Sequence, residues 1–515
     1  MNSPAILLAS VALAAVALWP RVRGWYYLRH YPLLRKEHSW RSRMTSFMAS
    51  AGSLLKEGGE KYGENPYRLT SANGTYLIVP NRLIDELKAL PDSDIDAFRF
   101  LENDFEQYYT KLFPPREQFP VVISTASVTI TRSLDPEVQL NPVLSAETDR
   151  SVKAAFGTCP EWKSVHLYPK VLDVVASVSG SVLVGKDLCR RPEYLTHAKG
   201  YGVDLLTAAL HLKKYPAPLK PFVARFSHHF KTIKRERKEL VEFMTPIIKE
   251  REAMIVRGEK LPLDALTAVI KECRQRQDWD LVEAVCKVQM FLIFNTIQTT
   301  TASVTRLLYD LSTDPKTANA LRAEMRQVLA ENGGVWTTKA LQDLKLTDSF
   351  MKEAQRLNPA FLTAFLRATA VDVTLSDGTF IPKDTFVCSP NTVLRNTDLY
   401  GPEPDVLDPY RFFNLRTNPD APNPFNHASR EQYQYVSPTK EHMGFGIGKH
   451  ACPGRFLAAN EVKLILSRIL LEFEVAMPDG SREPYKQLTL GLNNIPDTSK
   501  HLLMRDIKEP EVPLV

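Results

Sequence analysis

Close to its C-terminal end the chain carries Phe445-Gly446-Ile447-Gly448-Lys449-His450-Ala451-Cys452-Pro453-Gly454-Arg455, a glycine-rich loop that runs into a cysteine. A free cysteine is ordinarily a small buried hydrophobe. The setting of Cys452 suits another chemistry. Pro453 fits the first position of a helix, where a missing N–H costs nothing. Cys452 would then stand at the positive end of that helix, which favours thiolate over thiol. Gly446, Gly448 and Gly454 remove side chains where a backbone would pass close to a flat ligand. Together these features read as the thiolate ligand of a haem iron.

Two upstream clusters bear on the same chemistry. Leu281 to Leu311 is the longest uninterrupted helical pattern and lacks Gly and Pro, yet its middle is polar: Asn295-Thr296-Ile297-Gln298-Thr299-Thr300-Thr301. Such an island either bonds back to the helix carbonyls or faces a ligand. Further on, Glu353 and Arg356 lie three apart and share a helix face, so an ion pair between them is natural. On a surface that pair would contribute at most about 1 kcal/mol.

The spacing Phe445-x-x-Gly448-x-His450-x-Cys452-x-Gly454 resembles the haem-binding loop of the cytochrome P450 monooxygenases, with His450 where the commonest form has Arg. The resemblance extends over nearly the whole chain from about Tyr31. Asn295 to Thr300 is similar to the family's oxygen-activation segment. It implies that Thr299 helps deliver the protons that break the O–O bond. Gln298 falls where that segment usually has an acid; it cannot titrate, so at most it positions water. Glu353 and Arg356 resemble the family's Glu-x-x-Arg helix. The resemblance implies that they join Arg411 in a structural cluster and that Arg367 and His450 face haem propionates. It also implies haem b as cofactor, held by Cys452 beside Phe445. Electrons would come from NADPH through a membrane-bound cytochrome P450 reductase, and the substrate would be a hydrophobic small molecule. The likeness is greatest to fungal secondary-metabolite oxidases, including those acting on terpenoids. The expected fold is mainly α with small β-sheets, the cytochrome P450 fold, preceded by one membrane helix.

The elements that must position these residues can be read coarsely. Tyr67 to Pro80 reads as a hairpin around Asn73-Gly74, and Thr369 to Pro382 as another around Ser376-Asp377-Gly378. Pro91 to Arg116 reads as a long loop with short helices, a place where function often lies. Phe222 to Gly258 reads as one long basic helical stretch, kinked at Pro246. Arg455 to Phe473 reads as a helix with an apolar stripe.

At 515 residues and 44% hydrophobic, the chain can bury a large core. A net charge of +6 with no long Lys/Arg run does not point to nucleic acid. Six scattered cysteines without a C-x-x-C pair fit a reducing compartment. Ala5 to Trp19 is apolar but for Ser10, and its positive charges follow it. That pattern favours an uncleaved anchor over residues 1–24 rather than a signal peptide, with residues 25–515 on the cytosolic side. The resemblance implies the endoplasmic reticulum. Lys213 to Pro221 is either a solvated loop or a second membrane-touching surface. Lys440, Lys449 and Arg455 are either a basic docking surface for the reductase or plain solvated charge. Two other functions stand beside the monooxygenase: a haem-thiolate isomerase or dehydratase without oxygen activation, and a non-enzymatic haem-binding membrane protein. A zinc site from His442, His450 and Cys452 lacks a fourth ligand.

Overall fold

The computed structural model describes residues 23–24, 26–125 and 140–507. The expected anchor over residues 1–24 lies almost wholly outside the described residues. The principal helices are α1 (Trp40–Tyr62), α2 (Leu140–Phe156), α3 (Leu167–Leu183), α4 (Pro192–Leu212), α5 (His228–Arg257), α6 (Leu281–Leu311), α7 (Lys345–Leu357) and α8 (Arg455–Glu472). The main sheet comprises β1 (Tyr67–Ser71), β2 (Gly74–Ile78), β3 (Ile95–Asp96), β4 (Thr363–Thr369) and β5 (Phe386–Pro390), in the spatial order β1-β2-β5-β4-β3. The β2–β5 pair is parallel and the others antiparallel. A mainly helical body with small sheets agrees with the expectation.

The helix α6 is organised by its own sequence. Asp280 caps its first turn by accepting from the Glu283 N–H. Val285, Val288, Ile293, Ile297, Val304 and Leu308 are buried against α3, α4, α5 and α8. Among the described residues it is the one helix long and apolar enough to cross a membrane. Its packing between other helices makes it a core element.

Local chemistry explains most of the other boundaries. The β1–β2 hairpin pairs Ser71 with Gly74, and Gly74 takes φ 120°, which a side chain would resist. The second hairpin pairs Val373–Thr374 with Phe380–Ile381. The basic stretch after Phe222 differs from expectation. It breaks at Ser227, between a short helix Lys220–Phe226 and α5, and α5 then carries Pro246 inside one helical run.

Beneath the cysteine loop, α7 holds a buried charge cluster. Both Glu353 and Arg356 are fully buried, and their bidentate pair measures 2.8 and 2.7 Å. Arg411 Nε donates to Glu353 Oε1 at 3.0 Å, and Arg356 Nη1 donates to the carbonyls of Leu394 and Pro404. Isolation from water makes this far more than a surface pair: removing one partner of such a cluster costs about 3–5 kcal/mol. On the same helix Asp348 accepts from Lys463 Nζ and from the Tyr435 N–H, each at 2.8 Å. Lys352 Nζ donates to the carbonyls of Gln434 and Ser437. The segment leading into the cysteine loop is thus fastened from below at several points.

Candidate functional site: a thiolate cradle beneath an aromatic wall

The cysteine loop is closed on itself. The Cys452 N–H donates to the Phe445 carbonyl at 2.7 Å, and the Gly446 N–H donates to the Met443 carbonyl at 2.9 Å. Gly446 and Gly448 take φ 75° and 68°, so the tight path needs glycine at both places. A Cβ on Gly446 would also stand 3.3 Å from the His450 carbonyl oxygen. The helix after the loop opens at Arg455 rather than at Pro453, because Pro453-Gly454 form a turn first. The electrostatic expectation is met only in part, because burial outweighs the lowering contacts and the thiol stands above its ordinary value. Burial pushes the Cys452 thiol up, while the N–H groups of Gly454 and Arg455 and the Arg455 guanidinium pull it down. Arg455 also donates to the carbonyls of Val436 and Cys452. The other five cysteines are buried, and Cys452 alone keeps partial access.

On α6, Asn295 and Thr299 are exposed although the helix is packed against α3, α4, α5 and α8. Thr299 Oγ1 donates to the Asn295 carbonyl at 2.6 Å, and Asn295 Nδ2 donates to the Phe291 carbonyl at 2.7 Å. The polar island thus bonds back to the helix, as one of the two sequence readings allowed, while Asn295 and Thr299 stay unpacked. Gln298 leaves the helix in another direction, towards α3 and α4.

An aromatic wall runs between the cysteine loop and α6. Phe98 meets the His450 ring edge-on at 5.8 Å and the Phe119 ring at 4.0 Å. Phe119 and Phe113 meet Phe291 of α6 at 5.8 and 5.3 Å, and Phe105 meets Phe294 at 5.7 Å. Arg116 braces this segment through Asp96 and Glu102, at 2.5 and 2.7 Å. The long loop expected over 91–116 is thus a wall of rings. Nothing in the sequence paired Phe98 or Phe119 with α6, because residues so far apart in the chain meet only in the fold.

The two residues expected near propionates are placed differently. His450 Nε2 lies 2.6 Å from Asp92 Oδ1, which Lys449 also reaches at 3.0 Å. Arg367 is buried and, among the described residues, makes no ion pair; its Nη1 donates to the Leu366 carbonyl at 2.9 Å. Burial pushes its guanidinium down to about 10, against the pull of Asp92 and Asp96. A register shift in β4 between Ala364 and Arg367, with Phe365 at φ 52°, sets Arg367 over the Phe365 ring at 4.6 Å. A buried cation without a carboxylate is a ready anion site. One accessible thiol with N–H groups around it, a buried unpaired guanidinium and a wall of rings together fit a flat, anionic, thiolate-bound haem. Zinc has no such fit: among the described residues no three His, Cys, Asp or Glu side chains assemble to hold a metal.

This fold and site define a haem-thiolate oxygenase, and the comparisons agree. Residues 124–503 match the family model "Cytochrome P450". The chain belongs to the cytochrome P450 family, and it is a monooxygenase of that family. It is 29% identical over 463 residues to cytochrome P450 monooxygenase AN1598 of Emericella nidulans, covering 89% of this chain and 84% of that one. It is 31% identical to cytochrome P450 monooxygenase trt6 of Aspergillus terreus, covering 86% and 87% of the two chains. It is also 31% identical to cytochrome P450 monooxygenase TRI1 of Fusarium sporotrichioides, covering 85% and 78%. In fold it is similar to the retinoic acid-bound cyanobacterial CYP120A1, with a TM-score of 0.65 at 17% identity over 90% of this chain and 96% of that one.

Proposed function

We propose that this monooxygenase is anchored in the endoplasmic reticulum membrane and draws electrons from NADPH through a cytochrome P450 reductase. In this reading it oxidises a hydrophobic, terpenoid-type fungal secondary metabolite. The observation that carries the reading is the aromatic wall between His450 and α6. Its phenylalanines, with few polar groups among them, suit a greasy substrate and keep water away. Fungal relatives of similar length support the source of that substrate.

Cys452 would be the metal ligand, while Phe445, His450 and Arg367 would hold the haem's faces and edges. A bound haem with a thiolate ligand supplies dioxygen activation and favours O–O cleavage. The chain's own contribution is positional. Thr299 Oγ1 donates its hydrogen bond to the Asn295 carbonyl, which fixes the hydroxyl's orientation and leaves its lone pairs outward to accept a hydrogen bond and order a proton-carrying water. Arg367 would take a carboxylate from a propionate, relieving its own unpaired burial.

Membrane attachment is supported by more than the apolar stretch before Trp19. The pieces Ala217–Leu219 and Lys220–Phe226 bury no residue, and Leu219, Phe222 and Phe226 are 50%, 65% and 67% exposed. Large apolar side chains beside lysines suit an interface. The lysines considered for reductase docking are exposed and each already pairs with a surface carboxylate. Lys440 pairs with Asp85 at 2.8 Å and Lys449 with Asp92.

The test is turnover of terpenoid scaffolds by the full chain in microsomes with a reductase. Incorporation of one atom from labelled dioxygen, dependent on NADPH and reductase, supports the reading. Turnover that continues without NADPH and dioxygen overturns it.

A further inference from the structure

Gln298 stands next to Thr299 in sequence but not in space. Its Nε2 donates to the Lys199 carbonyl of α4, and its Oε1 accepts from the Tyr168 hydroxyl at the start of α3, each at 3.4 Å. The fit on the α4 side is close: a Cβ on Gly202 would stand 2.9 Å from both Cγ and Nε2 of Gln298. Gly202 lies inside α4, where glycine weakens a helix by about 1 kcal/mol relative to alanine, so close approach is the gain that accounts for it. The Lys199 side chain meanwhile reaches Asp173 of α3 at 2.8 Å, a second tie at the same crossing.

We propose that Gln298 is a positioning residue, an amide clamp that fixes α6 against α3 and α4 and so sets the position of Thr299. The donor and acceptor pattern explains why an amide stands where the resembling segment usually has an acid. One partner is a hydroxyl that donates; the other is a carbonyl that can only accept. An amide satisfies both at once. A carboxylate would satisfy Tyr168 and repel the Lys199 carbonyl. Burial raises the Tyr168 phenol, so it remains a donor well above neutral pH. The ionisable groups around this crossing are Tyr168 and Asp173 on α3, Lys199 and Asp204 on α4, and Glu236 on α5 against Gly200. The clamp does not depend on the function proposed above; its consequence for Thr299 does.

The test compares the full-length wild type with Q298E, Q298A, Y168F and G202A by hydrogen–deuterium exchange of the α4 peptide, corrected for intrinsic rates, at about pH 4 and about pH 8.5, on either side of the ordinary carboxyl value. At the lower pH, near the ordinary carboxyl value, Q298E should exchange closer to the wild type, because the protonated carboxylic acid can still donate to the Lys199 carbonyl. At the higher pH the same variant should exchange about five-fold faster in α4, the factor one lost hydrogen bond is worth. Q298A and G202A should exchange faster at both pH values, and their double variant no faster than either. Y168F should show a smaller, pH-independent rise. Peroxide released per NADPH oxidised, with reductase present, should rise in step with exchange. The clamp is overturned if Q298E matches wild type throughout, or loosens α4 equally at both pH values. Faster α4 exchange without any NADPH-dependent oxygen uptake would uphold the clamp and count against the proposed function instead.

Discussion

Glu461 offers a quantitative test of the core around α8. It is fully buried, its Oε1 accepts from the Ser179 hydroxyl at 2.5 Å, and its Oε2 has no partner. Burial pushes its carboxyl up from 4.5 to about 8, and the Ser179 bond only partly offsets this. The sign follows from linkage. A carboxyl whose folded value is raised binds its proton more tightly in the native state, so its contribution is full below pH 4.5 and lost as pH rises towards 8. At about 1.4 kcal/mol per unit, and allowing for partial titration at both ends, the loss between about pH 5 and 8.5 is about 4 kcal/mol. Glu461→Gln removes that slope. Its amide leaves a polar group unpaired at every pH, a fixed cost of about 1–3 kcal/mol. Urea unfolding of wild type and variant at both pH values gives the comparison. The variant should gain on the wild type by several kcal/mol as pH rises, whatever its absolute stability. Parallel stability curves for the two proteins would refute the buried, protonated reading of Glu461.

Other predictions concern the site directly. Cys452→Ala should abolish the thiolate-type spectrum of the reduced carbon monoxide complex, which absorption spectroscopy reads at once. Thr299→Ala should retain haem yet release more peroxide per NADPH oxidised; unchanged coupling would count against its role. Arg367→Met should lower haem content, measured by pyridine haemochrome, without lowering urea stability, because the buried charge goes together with its anion site. Glu353→Gln should destabilise by about 3–5 kcal/mol, since Arg356 and Arg411 would lose their shared carboxylate; unfolding curves test this.

Much of the site was legible because its signals are local. The path of the cysteine loop needs glycine at 446 and 448, and both stand there in the chain. The α6 limits follow from an unbroken apolar pattern with Asp280 before it. The Glu353–Arg356 pair is a spacing on one helix, and Arg411 entered through the resemblance. What was not legible depends on partners distant in the chain. The direction of Gln298 is decided by Gly202 and Tyr168, and the partner of His450 is Asp92. The wall of rings needs Phe98 and Phe119 brought to Phe291. Helix periodicity is blind to such meetings, and so is composition. The start of α8 at Arg455 was legible, but the place of Pro453 at a first helical position was not met: Pro453 also suits a turn, and with Gly454 after it the turn prevails.

The unequal exposure of the six cysteines has a bearing on oxidative wear. Burial raises the thiols of Cys189, Cys273, Cys286 and Cys388 to about 12 and pushes that of Cys159 above its ordinary value, so the five enclosed cysteines offer little thiolate to an oxidant. With Cys452 as the haem ligand proposed above, peroxide that escapes from an uncoupled turnover would find one accessible cysteine, and would find it where the peroxide arises. Oxidation to sulfinic acid there is irreversible in an ordinary protein. Each molecule would wear out through its own ligand, and its working life would be counted in miscoupled turnovers rather than in hours.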